Sequence, residues 1–520
     1  MLDKLHKRVD AIDDQILSLL DQRMIVTRKI ASVKNELELP LKDTGRELAI
    51  TKRLQKLAKH PLLADAISSI FSPIFDCAKA ERKLMERKEI SMERMSKFVI
   101  KPGNVRGEVA IPPSKSHTLR GILFASLARG KSLITNPLES PDATAMVKAC
   151  KMLGAGIERE GRDFAIKGVG GKISSEEHTI DAGNSGLVLR LIVGIAALGR
   201  QPIVITGDHS ICNQRPMGPM LDALQQLGVR AESVHGNGYA PLIVQGPLQG
   251  GQALISGEDS QPISALLMAG SLCPKGLKLK VTDPGEKPWI DMTLHWLRRL
   301  GTKVEHDSYT QYDVAGGTIW DGFTYNVPGD WSSAAFPLAA ALVTGSELTI
   351  HNVCTSDCQG DKAIVEILQR MGAVIEVRGD SLIISPSGKL KGVEVDLNDC
   401  IDAIPILSVV ACYASGTTRI TNTSVAKTKE CNRIACIASE LKKMGAQILE
   451  TEDGLIIRGA KLHGAEVESH RDHRMAMSLT VAALGATGAT TVNDVACVSK
   501  TYGSFAESFQ KMGANIEVMQ

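Results

Sequence analysis

Seven residues, Ser114-Lys115-Ser116-His117-Thr118-Leu119-Arg120, place a lysine, hydroxyls and an arginine one helical turn further on, just ahead of the apolar run Gly121–Leu127. Charges at the mouth of a helix that is itself destined for the interior need a partner. The start of a helix also offers unpaired backbone N–H groups and a partial positive charge, so the natural partner is an anion. The pattern recurs along the chain. Asp181-Ala182-Gly183-Asn184-Ser185-Gly186 is a turn whose glycines allow close approach to backbone N–H groups. Gln214-Arg215-Pro216 sets an arginine before a helix-initiating proline. Asp259-Ser260-Gln261, Asp330-Trp331-Ser332, Asp402, the cluster Lys427, Lys429, Glu430 and Arg433, the run His470-Arg471-Asp472-His473-Arg474, and Ser499-Lys500-Thr501 complete the set. Each alone reads equally well as an ordinary N-cap or a solvated charge cluster. Their common register at helix starts argues for one shared surface that binds anions.

The elements that must position these groups come from a repeated unit. Six times a helix ends in Leu-Gly or Met-Gly before a strand begins: at Gly154, Gly228, Gly301, Gly372, Gly445 and Gly513. The spacing is roughly 70 residues, and a near-fixed period marks a repeat architecture. Each glycine falls where a helix C′ position favours the left-handed region. Ile157, Val304, Ile375, Ile448 and Ile516 then open an apolar alternation. Upstream in each unit lies a helix that is apolar nearly all round, as at Leu187–Leu198, Ile263–Leu272, Ala334–Val343, Ile404–Ala414 and Met475–Leu484, and such helices are buried. The helices ending in the glycine phrase are striped, as in Ala363–Leu368, and belong outside.

A chain of 520 residues exceeds one compact core and implies two or three domains. A formal charge of +2 gives no sign of a nucleic-acid partner. Eleven cysteines without a CxxC pair, and no secretory leader, point to reduced thiols in the cytoplasm. No apolar run reaches the ~18 residues needed to span a membrane. Residues 1–90 differ from the rest. Leu2, Leu5, Val9, Ile12, Ile16, Leu19, Leu20 and Val26 recur at helical spacing, predicting one long helix that ends before Pro40 and packs against another copy. A second helix is expected from about Arg46 to Lys59, and a third from about Ala64 to Arg87 with a kink at Pro73.

With Arg23, Lys34 and Asp43-Thr44-Gly45-Arg46-Glu47, this module resembles the all-helical chorismate mutases, intertwined dimers that bind chorismate among three helices per chain. The resemblance implies a homodimer through the N-terminal helices and a pericyclic rearrangement to prephenate. Arg23 and Arg46 would clamp carboxylates, Lys34 would serve a carboxylate and the ether oxygen, and Asp43 and Glu47 would hold hydroxyls. The sequence departs from that family at His6, where the partner-contributed arginine is usual, at Ala78 for a serine, and at Arg82 for the residue facing the ether oxygen. Two readings follow: an active mutase, or a non-catalytic module for dimerisation or metabolite sensing. Residues 91–97 are read as a linker.

From Phe98 to the C-terminus, Ser114–Arg120, Gly183–Gly186, Gln214–Pro216, Ser260–Gln261, Asp402, Lys429–Arg433, Asp472–Met477 and Lys500–Tyr502 together resemble the 5-enolpyruvylshikimate-3-phosphate synthases. The implied fold is α/β: a two-domain inside-out barrel of six βαβαββ repeats, preceded here by the all-α three-helix module. Domain I is expected at 98–113 and 328–520, and domain II at 114–327, closing like a clamp. The implied reaction moves the carboxyvinyl group of phosphoenolpyruvate to the 5-hydroxyl of shikimate 3-phosphate. Lys115, Ser116, Arg120, Ser260, Gln261, Asp402 and Lys429 would hold shikimate 3-phosphate. Lys115, Gly186, Arg215, Gln261, Arg433, Arg474 and Lys500 would hold phosphoenolpyruvate. Asp402 is assigned as base for the hydroxyl and Glu430 as acid for the methylene carbon, with Lys115 and His473 assisting. A carboxylate hemmed by cations stays ionised, so Glu430 would need the closed complex to raise its pKa.

No cofactor or metal is implied: the close pair His470 and His473 lacks companions in ligand register, and no GxxxxGK[ST] run appears. The sister transferase acting on UDP-N-acetylglucosamine is the alternative; it would lack the Ser-Lys-Ser…Arg site and carry a loop cysteine absent from Asn213–Gly218. Within the resemblance, Asp259 and Glu286 stand where phosphate-binding serines are usual, so a phosphate there requires Lys287 or Arg120 to neutralise them. Leu187 and Leu191 stand where a Thr and a Pro are common, which predicts a tighter pocket less sensitive to glyphosate.

Overall fold

The computed structural model describes residues 96–174 and 178–519, with N-terminal positions 6, 8–10, 12, 13, 19, 23, 44–59, 62–64, 66, 67 and 71. The chain divides into two units, Met1–Met95 and Ser96–Gln520. In the first, every described position up to 23 is helical, a helix spans Thr44–Leu57, and the described positions 62–71 are helical. Val9, Ile12 and Leu19 expose about half or more of their surface. Lys34, Asp43, Ala78, Arg82 and the Pro73 kink lie outside the described residues.

The second unit is built from six four-stranded sheets of identical topology. In the sheet of strands 179–181, 203–206, 242–245 and 230–233, the first pair is parallel, joined by a crossover helix, and the remaining pairs are antiparallel. This is the βαβαββ unit. Three repeats borrow a strand from a distance: Thr324–Asn326 completes the first repeat's sheet, Gly107–Ala110 that of the fourth and Lys97–Lys101 that of the sixth. Lys97–Lys101 lies between Thr490–Asn493 and Asn515–Met519, so Lys97, expected in the linker, is already paired. The sheets remain separate rather than closing a continuous barrel, and helices occupy the interior.

Six buried helices, labelled α1–α6 in chain order, are Lys115–Leu127, Gly186–Ala196, Ser260–Leu272, Trp331–Thr344, Ile404–Tyr413 and His473–Gly485. Every residue of α2 is buried, and each large apolar side chain contributes about 1.5–3 kcal/mol on leaving water. Close helix approach uses glycine: a Cβ on Gly194 of α2 would come 2.9 Å from the Ala265 Cβ of α3. The six repeat glycines take φ between +77° and +102°, as the C′ reading requires. The buried apolar residues form two clusters, one running from Leu119 to Val327, the other combining Phe98–Ile111 with Trp331–Ile516.

Candidate active site

Five of the six buried helices begin at a side-chain cap: Ser114, Ser185, Asp259, Asp330 and Asp472 each accept a bond from a backbone N–H within the first turn. Ser116 lies inside α1, just past its start. Because the caps satisfy the local donors, the charged residues beside them project into one pocket. That pocket is lined by Lys115, Ser116, Arg120, Gly186, Arg215, Ser260, Gln261, Asp402, Lys429, Glu430, Arg433, His473, Arg474 and Lys500, together with Asp142, Leu187, Glu286 and Trp289. Residues separated by up to 385 positions in sequence meet here because the repeats present their helix mouths to a common gap.

At one end Arg433 is buried and organises three carboxylates. Its Nε donates to Asp472 at 2.7 Å, Nη1 to Asp402 at 2.6 Å and Nη2 to Glu430 at 2.8 Å. Arg474 Nη2 donates to the other oxygen of Asp402 at 2.7 Å. Lys500 Nζ reaches Glu430 at 2.8 Å and the Asn184 side chain at 2.9 Å, tying the two halves together, and Arg215 lies 3.3 Å from Glu430. Burial pushes the Asp402 carboxyl up, but Arg474, Arg433, Lys429 and Lys115 outweigh it and hold the group below the usual carboxylate range. Glu430 likewise loses its burial penalty to Lys500, Arg215 and Arg433 and stays well below its ordinary value. Both carboxylates are therefore ionised. Lys115 moves the other way: burial, only partly offset by Asp142 at 3.8 Å, lowers its pKa.

His473 is buried, and neither ring nitrogen has a hydrogen-bond partner. Burial first, then Lys115, Arg474 and Lys500, hold its pKa well below the ordinary value, so the imidazole is neutral. Gln261 Oε1, Arg215 Nε and Arg474 Nε are also buried without hydrogen-bond partners. Unpaired buried polar atoms cost about 1–3 kcal/mol each, and gathered around a pocket they are groups awaiting a ligand. A Cβ on Gly186 would lie 2.8 Å from Arg190 Nη1 and 3.4 Å from Arg215 Nη1, so the absent side chain keeps the backbone open beside these guanidinium groups.

The other end is arranged differently. Arg120 is buried, donating to Thr293 Oγ1 at 3.0 Å and to the Trp289 and Ser116 carbonyls at 3.3 Å. No carboxylate is among these partners, and burial lowers its pKa to about 10. Glu286 accepts from Ser260 N–H at 3.1 Å, Ser260 Oγ at 2.9 Å and Lys429 Nζ at 2.6 Å. Asp259 pairs with Arg190 at 2.9 Å. The expectation that Lys287 or Arg120 neutralises these two acids is thus corrected: Lys429 and Arg190 do so, the first reaching across the cleft.

Several side-chain pairings escaped the sequence reading. Asp142 pairs with Lys115 and accepts from the Ser185 hydroxyl at 2.9 Å. Asn184, known only as part of a turn, is the Lys500 partner. Asp361, buried and bonded by Ser332, has its pKa raised to about 7 by burial and by Asp402. His117, Asp357 and Cys358 place ligand-type atoms within 4.8 Å of one another, although His117 is already bonded to Tyr325. All of these pairings link distant segments, which spacing alone does not reveal. In the N-terminal unit, Arg23 is helical and half-buried, and Arg46 and Glu47 fall in the helix Thr44–Leu57.

Comparison with known proteins adds the following. Residues 99–509 match the EPSP synthase (3-phosphoshikimate 1-carboxyvinyltransferase) family model, and residues 5–83 match chorismate mutase type II. The 3-phosphoshikimate 1-carboxyvinyltransferase of Acetivibrio thermocellus is 41% identical over 421 residues, covering 81% of this chain and 99% of the relative. That of Chlamydia caviae is 40% identical over 425 residues, 81% of this chain and 95% of the relative. The solved EPSP synthase of Acinetobacter baumannii superposes with a TM-score of 0.70 at 30% identity, over 82% of this chain and all of that one.

Proposed function

The chain belongs to the EPSP synthase family and is a 3-phosphoshikimate 1-carboxyvinyltransferase of the shikimate pathway with a chorismate mutase domain at its N-terminus; from that premise we propose how its residues divide the work. The acceptor is shikimate 3-phosphate, the donor phosphoenolpyruvate, and the products are 5-enolpyruvylshikimate 3-phosphate and inorganic phosphate. The acceptor is assigned to Lys115, Ser116, Arg120, Ser260, Gln261, Asp402 and Lys429. The donor is assigned to Lys115, Gly186, Gln261, Arg215, Arg433, Arg474 and Lys500. The halves 98–113 with 328–520 and 114–327 act as the jaws. The observation that carries this division is the convergence of unpaired guanidinium nitrogens of Arg215 and Arg474 beside Gly186 and Lys500.

The acceptor 5-hydroxyl oxygen bonds to C2 of the donor while a proton adds to C3, giving a tetrahedral intermediate. Loss of that proton and cleavage of the C2–O bond to phosphate then restore the vinyl group. Asp402, ionised and gripped by two arginines, orients the hydroxyl and takes its proton as the O–C2 bond forms, and that proton leaves with the inorganic phosphate. Glu430 is held by Lys500, Arg215 and Arg433, the cations that an incoming phosphate and carboxylate would share. Sharing them raises its pKa and lets it exchange a proton with C3. Lys115, with its lowered pKa, and neutral His473 assist. Isotope exchange tests the assignment: Glu430→Gln should lose deuterium incorporation at C3 while still binding both substrates, and exchange at the parent rate would remove Glu430 from this role.

For the N-terminal domain the reading is conversion of chorismate to prephenate by a homodimer in the cytoplasm. Exposed Val9, Ile12 and Leu19, each at a helical position, and free cysteines at every described cysteine position support the dimer and the compartment. The full chain should form prephenate, and Arg46→Ala should abolish this while sparing phosphate release. Absence of prephenate at micromolar protein leaves the domain as a dimerisation or sensing module. Sedimentation of Ile12→Asp should give a monomer.

A further inference from the structure

The end of the pocket at Glu286 is already supplied with negative charge. The Glu286 side chain is only 2% exposed, yet its carboxylate takes both the N–H and hydroxyl of Ser260 and the ammonium of Lys429. It is fixed there rather than swinging freely. Its backbone sits in the left-handed region at φ 47°, anchored by Glu286 N–H donating to Asn398 Oδ1 at 2.8 Å. One residue before Ser260, Asp259 occupies Arg190. The two cations that could attract a dianion to this end are therefore each matched by a carboxylate, and only Arg120 lacks one among its bonds. A phosphate entering beside Ser260 would have to evict Glu286 and strand a buried carboxylate, or lie against it at the cost of like-charge repulsion. A hydroxyl or ammonium group brings no negative charge and meets no such repulsion beside these carboxylates.

We propose that the cleft carries a second activity: carboxyvinyl transfer to cyclic hydroxy acids bearing a hydroxyl or ammonium group in place of the acceptor phosphate. The inference rests on the assignment of Ser260 and Lys429 to the acceptor given above. The chemistry balances as before: the acceptor oxygen exchanges its proton for the C2 bond, C3 takes and returns one proton, and the donor's C2–O bond breaks to release inorganic phosphate, which carries the hydroxyl proton away. Only the remote end of the acceptor changes, and Glu286 is the residue that determines specificity there.

The test uses the full chain with phosphoenolpyruvate and either shikimate 3-phosphate or shikimate, following phosphate release and product mass. A site committed to a polar group rejects an analogue lacking it by about 10⁴–10⁵ in kcat/KM. The expected preference for shikimate 3-phosphate over shikimate is below about 10³. Glu286→Gln and, independently, Asp259→Asn should raise that preference at least threefold by favouring the phosphorylated acceptor. A wild-type preference above that threshold overturns the proposal, as does a preference unmoved by both variants. Turnover of shikimate 3-phosphate alone defeats this inference and leaves the acceptor assignment standing. No turnover of either acceptor defeats both.

Discussion

At the Arg433 end of the cleft, three carboxylates hold one arginine so that its neighbours Arg215 and Arg474 keep nitrogens unbonded. At the Glu286 end, carboxylates and cations pair one to one, and Arg120 is left as the only cation bonded to neutral groups alone. The same residue types thus do two things. Around Arg433 they form a scaffold whose surplus positive charge faces the pocket. Around Glu286 they cancel it. The contrast teaches that counting Lys and Arg in a pocket does not measure its appetite for anions; the pairing decides.

Breaking the scaffold should have the largest effect. Arg433→Met strands buried Asp472 and removes one of the cations that hold Asp402 and Glu430, and losing one member of a buried ion-pair network costs about 3–5 kcal/mol. A large fall in melting temperature and loss of phosphate release are expected. Arg120→Met, which strands no carboxylate, should raise the acceptor KM about tenfold or more with little change in melting temperature. Equal melting temperatures for the two variants would erase the contrast.

Glu430→Gln should lower kcat by about 10²–10⁴, the usual range for a proton-transferring group. Gly186→Ala sharpens the division between donor and acceptor. Its Cβ would crowd Arg190 and Arg215, so the phosphoenolpyruvate KM should rise roughly tenfold while the acceptor KM stays within about twofold.

The Asp361–Asp402 pair gives a pH signature. Burial and Asp402 raise the Asp361 pKa to about 7, so between about pH 4 and 7 the folded chain binds a proton that the unfolded chain has released. Stability contributed by that proton is present at low pH and lost as pH rises through the folded value. Wild type should lose on the order of 2–4 kcal/mol relative to Asp361→Asn across this window, measured by denaturant titration. An unchanged difference would place Asp361 outside the pair. The smallest effect concerns Leu187, which lines the pocket next to Gly186. Leu187→Thr should strengthen inhibition by glyphosate by about fivefold, the worth of roughly one methylene.

Much of this was legible in the sequence. The six repeat glycines announced the architecture because a left-handed C′ position selects so narrowly. The fourteen transferase site residues converge because helix mouths in a repeat must face alike. What spacing could not supply was pairing across the cleft. Glu286 and Lys429 are 143 residues apart, and Asn184 and Lys500 are 316 apart. Asp259 and Glu286 stand out in the sequence as departures, but their partners Arg190 and Lys429 are set by folding, and the cations Lys287 and Arg120 that the sequence offers are not the ones paired with them. Lys34 and Asp43 lie outside the described residues, so the mutase site rests on sequence alone.

The strand Lys97–Lys101 lies between two strands drawn from the last 31 residues of the chain. During synthesis the first strand of this unit must therefore wait, with both edges bare, for nearly four hundred residues to emerge before it finds either neighbour. Completion of the last sheet becomes a late checkpoint, and a polypeptide halted short of its final repeat would present an open template to any chaperone or passing strand.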